Sequence, residues 1–197
     1  MSQVLDGVRV LDFGRYIAGP CCGMMLGDLG ADVIRIEKID GSEDRYTAPI
    51  GEGADGEISV GSGYLHLNRN KRGLTLNPMK PEGQEIVKRL VATADVVIAN
   101  LPTETLEAMG LDYDSLRAVK EDIILTTVSA FSSVGPYKDR VGFDGIAAAM
   151  SGMMHLSGHA DEPMKAHTPW VDFGTASAAT IGTLSALLHR KATGEGQ

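Results

Sequence analysis

The sequence predicts an α/β fold in which helices flank a mostly parallel sheet. Three observations carry this expectation. Short β-branched apolar runs alternate with helical stretches over residues 8–128, the pattern of a sheet built from crossover units. The first two runs are separated by a small-residue helical stretch long enough to bring the chain back for a parallel partner. A later stretch, opened by Pro81-Glu82-Gly83, places Ile86, Val87, Leu90 and Val91 on one face of a helix.

The elements follow in order. Residues 8–13 read as a buried strand, 14–20 as a loop, and 21–29 as a Gly- and Met-rich helix that can pack closely on a sheet. Pro20 suits the first turn of that helix, and Gly30 closes it. Residues 32–37 form a second strand. Residues 40–63 are dominated by Gly, Asp, Glu and Ser without an apolar period, and are expected to form a long loop. Order resumes at 64–68, with strands expected at 72–76, 95–99 and 123–128 and a short helix over 116–119. Beyond these, helices are expected at 143–154 and 177–189, with Asp172 ahead of the second.

Composition narrows the function classes. A chain of 197 residues with 43% hydrophobic and 22% charged residues is globular and of ordinary domain size. The net charge of −8 and the absence of a long basic tract argue against a nucleic-acid partner. One compact basic cluster, Arg69, Lys71 and Arg72, is enough for a small phosphorylated ligand, although composition alone favours a solvated turn. The adjacent Cys21 and Cys22 read as small apolar residues of a reducing compartment. No basic-then-apolar leader opens the chain, and no apolar stretch approaches the roughly 20 residues that span a bilayer. The cytoplasm is the expected location, and no membrane partner is expected.

The candidate motifs have structural as well as chemical readings. The loop after the first strand, Gly14-Arg15-Tyr16-Ile17-Ala18-Gly19-Pro20, has Tyr16 where a dinucleotide fingerprint needs glycine. Glu37, which ends the second strand, is therefore the one feature of that fingerprint present. Asp172 can cap a helix. The same position lowers a carboxyl pKa through the helix dipole, leaving an ionised nucleophile. Asp144 is placed to cap the Ala-rich helix after it. His155, His159 and His167 lack a tight ligand spacing, so no metal site is expected, and no G-x-S-x-G elbow is present.

The stretches LDGVRVLDFGRYIAGP, LGDLGADVIRIEK, LNRNKRGLTL, PEGQEIVKRLVATADVVIAN, MGLDYDSL, GPYKDRVGFD and WVDFGTASAATIGTLSALLHRKATGEGQ occur in this order. Over residues 5–197 the chain thereby resembles the family III CoA-transferases of the CaiB/BaiF, formyl-CoA transferase-like type, a family that also contains 2-methylacyl-CoA racemases. The resemblance implies a Rossmann-like sheet in the large domain of that fold. Residues 1–190 would be the N-terminal part of the large CoA-binding domain and 191–197 the start of a linker. A C-terminal half with the smaller domain is missing from this chain by comparison with the family, and an interlocked homodimer is implied for the full-length protein.

The resemblance also implies roles. Asp172 stands where the family carries its nucleophile, with Asp144 and Phe143 in support. Coenzyme A, as the acyl-CoA substrate, is expected to meet Tyr16, Ile17, Ala18, Lys38, Leu76, Asn100 and Leu101, with phosphate contacts from Lys138 and Arg140. Two basic positions common in relatives are absent: no Arg follows Asn100, and Met79 replaces a Lys, beside Lys80. The implied partners are an acyl-CoA and a carboxylic acid. Racemases carry His where this chain has Phe143, and a phenyl ring takes no proton. Transfer is therefore preferred to racemisation, and a CoA-binding protein without catalysis is the alternative of another class.

Overall fold

The computed structural model describes residues 3–53, 55–56 and 59–197. Residues 1 and 2 of the chain start, and 54, 57 and 58 of the expected long loop, lie outside the described residues. Five strands form the main sheet: β1 (Arg9–Asp12), β2 (Asp32–Glu37), β3 (Lys71–Thr75), β4 (Val96–Ala99) and β5 (Ile124–Thr127). All neighbours are parallel, in the order β3-β2-β1-β4-β5. A small antiparallel hairpin, β6 (Gly158–His159) and β7 (Glu162–Pro163), stands apart from it.

Side-chain alternation explains why the central strands are apolar throughout. Val10, Val33, Val96 and Ile98 face one core with Cys22 and Leu26 of helix α1 (Ala18–Asp28) and Ala186 of the long helix that ends the chain. Leu11, Ile34, Ile36, Val97 and Ala99 face the other. There they meet Val87 and Val91 of α3 (Pro81–Val91), Leu106 of α4 (Thr103–Met109) and Leu116 of α5 (Tyr113–Val119). Parallel strands covered on both faces need this near-continuous apolar sequence. Helix α2 (Ser62–Leu67) precedes β3, and α6 (Asp144–Met150) precedes the hairpin.

The last helix, α7 (Trp170–Thr193), buries Ala176, Thr180, Thr183 and Ala186 in one stripe against the fold. Thr183 Oγ1 lies 2.7 Å from Thr126 Oγ1 of β5, and Arg190 Nη2 donates to Asp95 Oδ1 at 2.8 Å. Ser177, Thr180, Thr183, Ser185 and Thr193 donate their hydroxyls to carbonyls one turn earlier, so these groups are satisfied within the helix. With 24 residues, α7 is long and apolar enough by length and composition to cross a membrane. This corrects the expectation that no stretch approaches that length. In this fold the helix packs on α1 and β5.

Other expectations are corrected at element ends. Helix α1 starts at Ala18 rather than at 21, because Pro20 lacks only an N–H that the first turn leaves unpaired anyway. Helix α6 stops at Met150 rather than continuing to 154, and Gly152 beyond it is left-handed, at φ +79°. Helix α7 begins at Trp170, well before 177, for a reason given below. The stretch 40–63 is not wholly irregular: a 3-10 turn occupies Glu43–Tyr46, and α2 starts within it. Helix α4 lies where the sequence reading assigned no element, ended by Gly110 at φ +69°.

Candidate active site at the carboxyl ends of the strands

The strand order reverses direction between β1 and β4, so the loops after these strands leave on opposite sides of a crevice. Such switch points at the carboxyl ends of parallel strands are where open α/β sheets take ligands. The loop after β1 is tightly made. A Cβ on Gly14 would come within 2.7 Å of Asp12 Oδ1, and one on Gly19 within 2.9 Å of Asn100 Oδ1, so neither position accepts a side chain. Tyr16 sits at φ +56°, a left-handed conformation that is costly for a tyrosine.

Two devices hold that turn. The Asn100 side chain, in the loop after β4, accepts from the Arg15 N–H at 2.6 Å and donates to the Arg15 carbonyl at 2.8 Å. The Tyr16 N–H donates to Asp44 Oδ2 at 3.1 Å. Asp44 belongs to a buried charge network beneath the loop. Arg35 Nη2 donates to Asp44 Oδ2 and Arg35 Nε to Glu37 Oε1, each at 2.8 Å. Glu37 also accepts from Arg45 Nε at 2.7 Å and from the Tyr64 hydroxyl at 2.9 Å. Lys71 Nζ donates to Asp12 Oδ2, at 2.7 Å, and to the Pro20 carbonyl.

Burial opposes the charge on Asp12, but Lys71 and Arg35 outweigh it and hold its carboxyl below the usual range. Glu37 is likewise depressed: burial raises it, and the hydrogen bonds from Arg35, Arg45 and Tyr64 lower it further. Asp44 goes the other way, because burial prevails over Arg35 and Arg15. Its Oδ1 is buried without a hydrogen-bond partner among the described residues.

Asp172 is the third residue of α7, not a residue ahead of the helix. Asp144 does not cap its own helix α6. Its Oδ1 accepts from the Val171 N–H at 2.8 Å and from the Asp172 N–H at 3.2 Å, and so caps α7. This is why α7 starts so early: its cap comes from 27 residues upstream of Val171. Lys165 Nζ lies 3.0 Å from Asp144 Oδ2. The carboxyl of Asp172 is half-buried, and burial together with Asp144 raises its pKa, with Lys165 partly opposing. The expected lowering by the helix start is therefore corrected: desolvation and a like charge prevail.

Phe143, 61% exposed, packs edge-on against Tyr16, with ring centroids 5.9 Å apart. Ile17 packs in the cluster of Cys21, Met24, Leu67 and Ala176, beside Phe173, the neighbour of Asp172. Ala18 is the buried first residue of α1. Tyr16, Ile17, Ala18, Asn100, Phe143, Asp144 and Asp172 are thus joined by contacts or chain adjacency into one region. Lys38 is exposed and ion-paired with Glu43. Leu101 packs against the core behind α4. Leu76 turns its side chain into that core, leaving its backbone, whose N–H donates to the Glu37 carbonyl at 2.7 Å. Lys138 and Arg140 lie in an exposed loop, Arg140 stacked 4.4 Å over the Tyr137 ring, and among the described residues no hydrogen bond or ion pair joins them to the others.

The basic cluster is a solvated turn at Arg69 and Arg72, which stay exposed, and departs from it at Lys71, which turns inward. Arg69 pairs with Asp28, Lys71 is buried on Asp12, and Arg72 pairs with Asp32 at 2.7 Å. Glu37, held by three donors, has no free edge for a ribose. No cluster of metal-ligating residues occurs among the described residues. Burial pushes the Cys22 thiol up to about 11, as befits a packing residue. Reading the sequence missed Arg35, Asp44 and Lys165. The available signal was charge inside otherwise apolar strands, Asp12 in β1 and Arg35 in β2.

The fold defines an α/β protein with a crevice, the candidate ligand site, at the switch point of a parallel sheet. The family model for CoA-transferase family III matches residues 5–197, and the chain belongs to that family. It is 42% identical over 196 residues to a succinate–glutarate CoA-transferase of Agrobacterium fabrum, covering 98% of this chain and 49% of that protein. It is 34% identical over 194 residues to the human succinyl-CoA:glutarate CoA-transferase, covering 98% and 43% respectively. A crystal structure of a CAIB/BAIF family protein from Brucella suis superposes with a TM-score of 0.93 at 40% identity, covering all of this chain and 52% of that one. The chain spans about half the length of the curated relatives it matches.

Proposed function

We propose that the protein moves coenzyme A from an acyl-CoA thioester to a carboxylic acid, with Asp172 as nucleophile. The observation that carries this reading is the placement of Asp172 in the first turn of α7, its amide fixed by Asp144 and its carboxyl left poorly compensated. A carboxylate that its surroundings stabilise little is the more reactive nucleophile. Asp172 attacks the thioester carbonyl, the carbon–sulfur bond breaks, and the CoA thiolate leaves behind an aspartyl mixed anhydride. The thiolate then attacks the aspartyl carbonyl, the donor acid departs as its carboxylate, and an aspartyl-CoA thioester remains. The acceptor carboxylate attacks that thioester, its carbon–sulfur bond breaks, and the CoA thiolate is expelled to leave a second anhydride. Thiolate attack on the acceptor's carbonyl releases its CoA thioester and restores Asp172. The thioester energy survives only if water is excluded.

Tyr16, Ile17, Ala18, Lys38, Asn100 and Leu101, with the Leu76 backbone, are proposed to line the CoA site. Lys138 and Arg140 are proposed to reach its phosphates. The names of the relatives make short dicarboxylates the first acceptors to try. Racemisation is disfavoured by Phe143, whose ring packs against Tyr16 and can hold no proton.

The test is to incubate the full-length protein with an acyl-CoA panel, trap with hydroxylamine or borohydride, and map the modified peptide by mass spectrometry. An adduct on Asp172 that disappears in Asp172→Asn supports the mechanism. Deuterium entering the donor α-carbon from heavy water, without an adduct, would replace it by racemisation. Neither signal from any donor would leave a non-catalytic CoA-binding protein.

A further inference from the structure

Five cations lie in the β1 loop, in or just after β2, in the segment folded over them, or at the start of β3: Arg15, Arg35, Lys38, Arg45 and Lys71. Four of these have a carboxylate within ion-pair distance. Arg15 has none among the described residues. Its Nη1 lies against three main-chain carbonyls instead, of Phe13 at 3.1 Å, Gly14 at 2.8 Å and Ile36 at 3.2 Å. Its own N–H and carbonyl are clamped by Asn100. The backbone and one edge of the guanidinium are therefore fixed, while Nε and Nη2 have no protein partner among the described residues.

The surroundings disfavour this cation. Burial and then the charge of Arg35 push its pKa down, and Asp44, Asp12 and Glu37 only partly offset them. A guanidinium stays charged even so, and one held this way gains from an arriving anion. Its fork geometry suits an oxyanion with two acceptor atoms. Tethering to the Ile36 carbonyl sets the guanidinium on the β2 side of the crevice, beside the chain that continues into Glu37 and Lys38, whereas α7 packs on α1 and on β5 at the opposite edge of the sheet. A group bound there belongs to the tail of the thioester substrate rather than to its reacting end.

We propose that Arg15 is an anion-binding residue of the site, its Nε and Nη2 taking a phosphate of the coenzyme A nucleotide. The proposal rests on the CoA-transferase reading and adds a residue to it. It also supplies a cation where the basic positions common among relatives, after Asn100 and at Met79, are missing.

The experiment compares full-length wild type with Arg15→Gln on three donors: acyl-CoA, acyl-dephospho-CoA and acyl-pantetheine. Arg15→Gln is expected to raise KM for acyl-CoA by about ten-fold or more, with kcat within about two-fold and the acceptor KM unchanged. The difference from wild type should vanish on acyl-pantetheine, which has no nucleotide phosphate. A difference that persists on acyl-dephospho-CoA assigns the contact to the diphosphate, and one lost there assigns it to the 3′-phosphate. An equal defect on acyl-pantetheine, a raised acceptor KM, or no defect on any donor overturns the proposal.

Calorimetry with desulfo-CoA separates this inference from the functional reading. A wild type that binds desulfo-CoA but transfers nothing removes the transferase reading, and Arg15→Gln must still weaken that binding for the inference to stand. A wild type that binds no desulfo-CoA removes both. If Arg15→Gln fails to fold, Arg15→Lys decides: it keeps the charge and loses the fork, and it must weaken desulfo-CoA binding in a protein that melts like wild type.

Discussion

The carboxylates beneath the β1 loop and those at the start of α7 are treated in opposite ways. Asp12 and Glu37 are almost wholly buried and held below their usual pKa by Lys71, Arg35, Arg45 and Tyr64. Asp172 and Asp144 face each other electrostatically with one half-exposed lysine between them, and the pKa of Asp172 rises. The first group is scaffold: its charges are satisfied and nothing is left over for chemistry. The second has less positive charge around it, which disfavours the ionised form of Asp172 and is what its proposed role as nucleophile draws on. Strong perturbation alone does not separate scaffold from site here. Nor does the direction of the shift, since burial raises Asp44 within the scaffold as it raises Asp172; what differs is the supply of cations around each group.

The comparison breaks most severely at Arg35. Arg35→Met leaves Glu37 and Asp44 with a missing partner in a buried setting, and unfolding by denaturant should show a loss of about 3–5 kcal/mol. Next is Asn100→Ala, which strands the buried ends of the Arg15 peptide. It is expected to cost about 1–3 kcal/mol and to weaken CoA binding, measured by calorimetry, more than it alters the melt. Asp144→Ala should cost about 0.5–2 kcal/mol by uncapping α7. Asp144→Asn should cost less and should shift the acidic limb of the rate profile to lower pH, because Asp172 loses a like-charged neighbour. A limb that stays put would show that Asp144 does not act on Asp172. The smallest effect is at the surface pair of Arg72 and Asp32: Arg72→Gln should change stability by about 1 kcal/mol or less, and less still at high salt.

pH sharpens the same contrast, because the two groups have opposite signs. Asp12 and Glu37 have folded pKa values below their unfolded ones. Their stabilisation is present above the unfolded values and is lost as pH falls through the folded ones. Asp172 has a folded pKa above its unfolded one, so its contribution is present at low pH and is lost as pH rises through the folded value. Asp172→Asn should therefore gain stability over wild type as pH rises from about 4 toward neutrality. A constant difference across that range would place the raised pKa in doubt.

The strands were legible because a sheet covered on both faces writes itself as unbroken β-branched runs, as in Val96 to Ala99. Helix α3 was legible because only one of its faces is apolar. Asp172 was legible as a site by resemblance, but its environment was not. The cap that starts α7 comes from Asp144, and neither a local window nor a propensity links the two. The network under the β1 loop was illegible for the same reason, since Lys71 reaches Asp12, and Arg35 the Gly14 carbonyl, only once β1, β2 and β3 are paired. The basic cluster was legible in part, because charge neighbours in sequence diverge in space: Arg69 and Arg72 find surface partners, as a solvated turn implies, while Lys71 points inward.

The Asn100 clamp bears on the order in which the molecule assembles. It joins residues 85 positions apart, and Asp44 reaches Tyr16 from 28 positions away, while nothing nearby in sequence favours the left-handed turn at Tyr16. Contacts of such long sequence separation form only after the chain entropy between them has been lost. The pairing of β1 with β4 spans nearly the same distance, Val10 against Val96, so the turn at Tyr16 and the middle of the sheet have much the same chain entropy to overcome. A refolding chain would therefore set the crevice loop and close the centre of the sheet as one event, and strand order and loop shape would be gained or lost together.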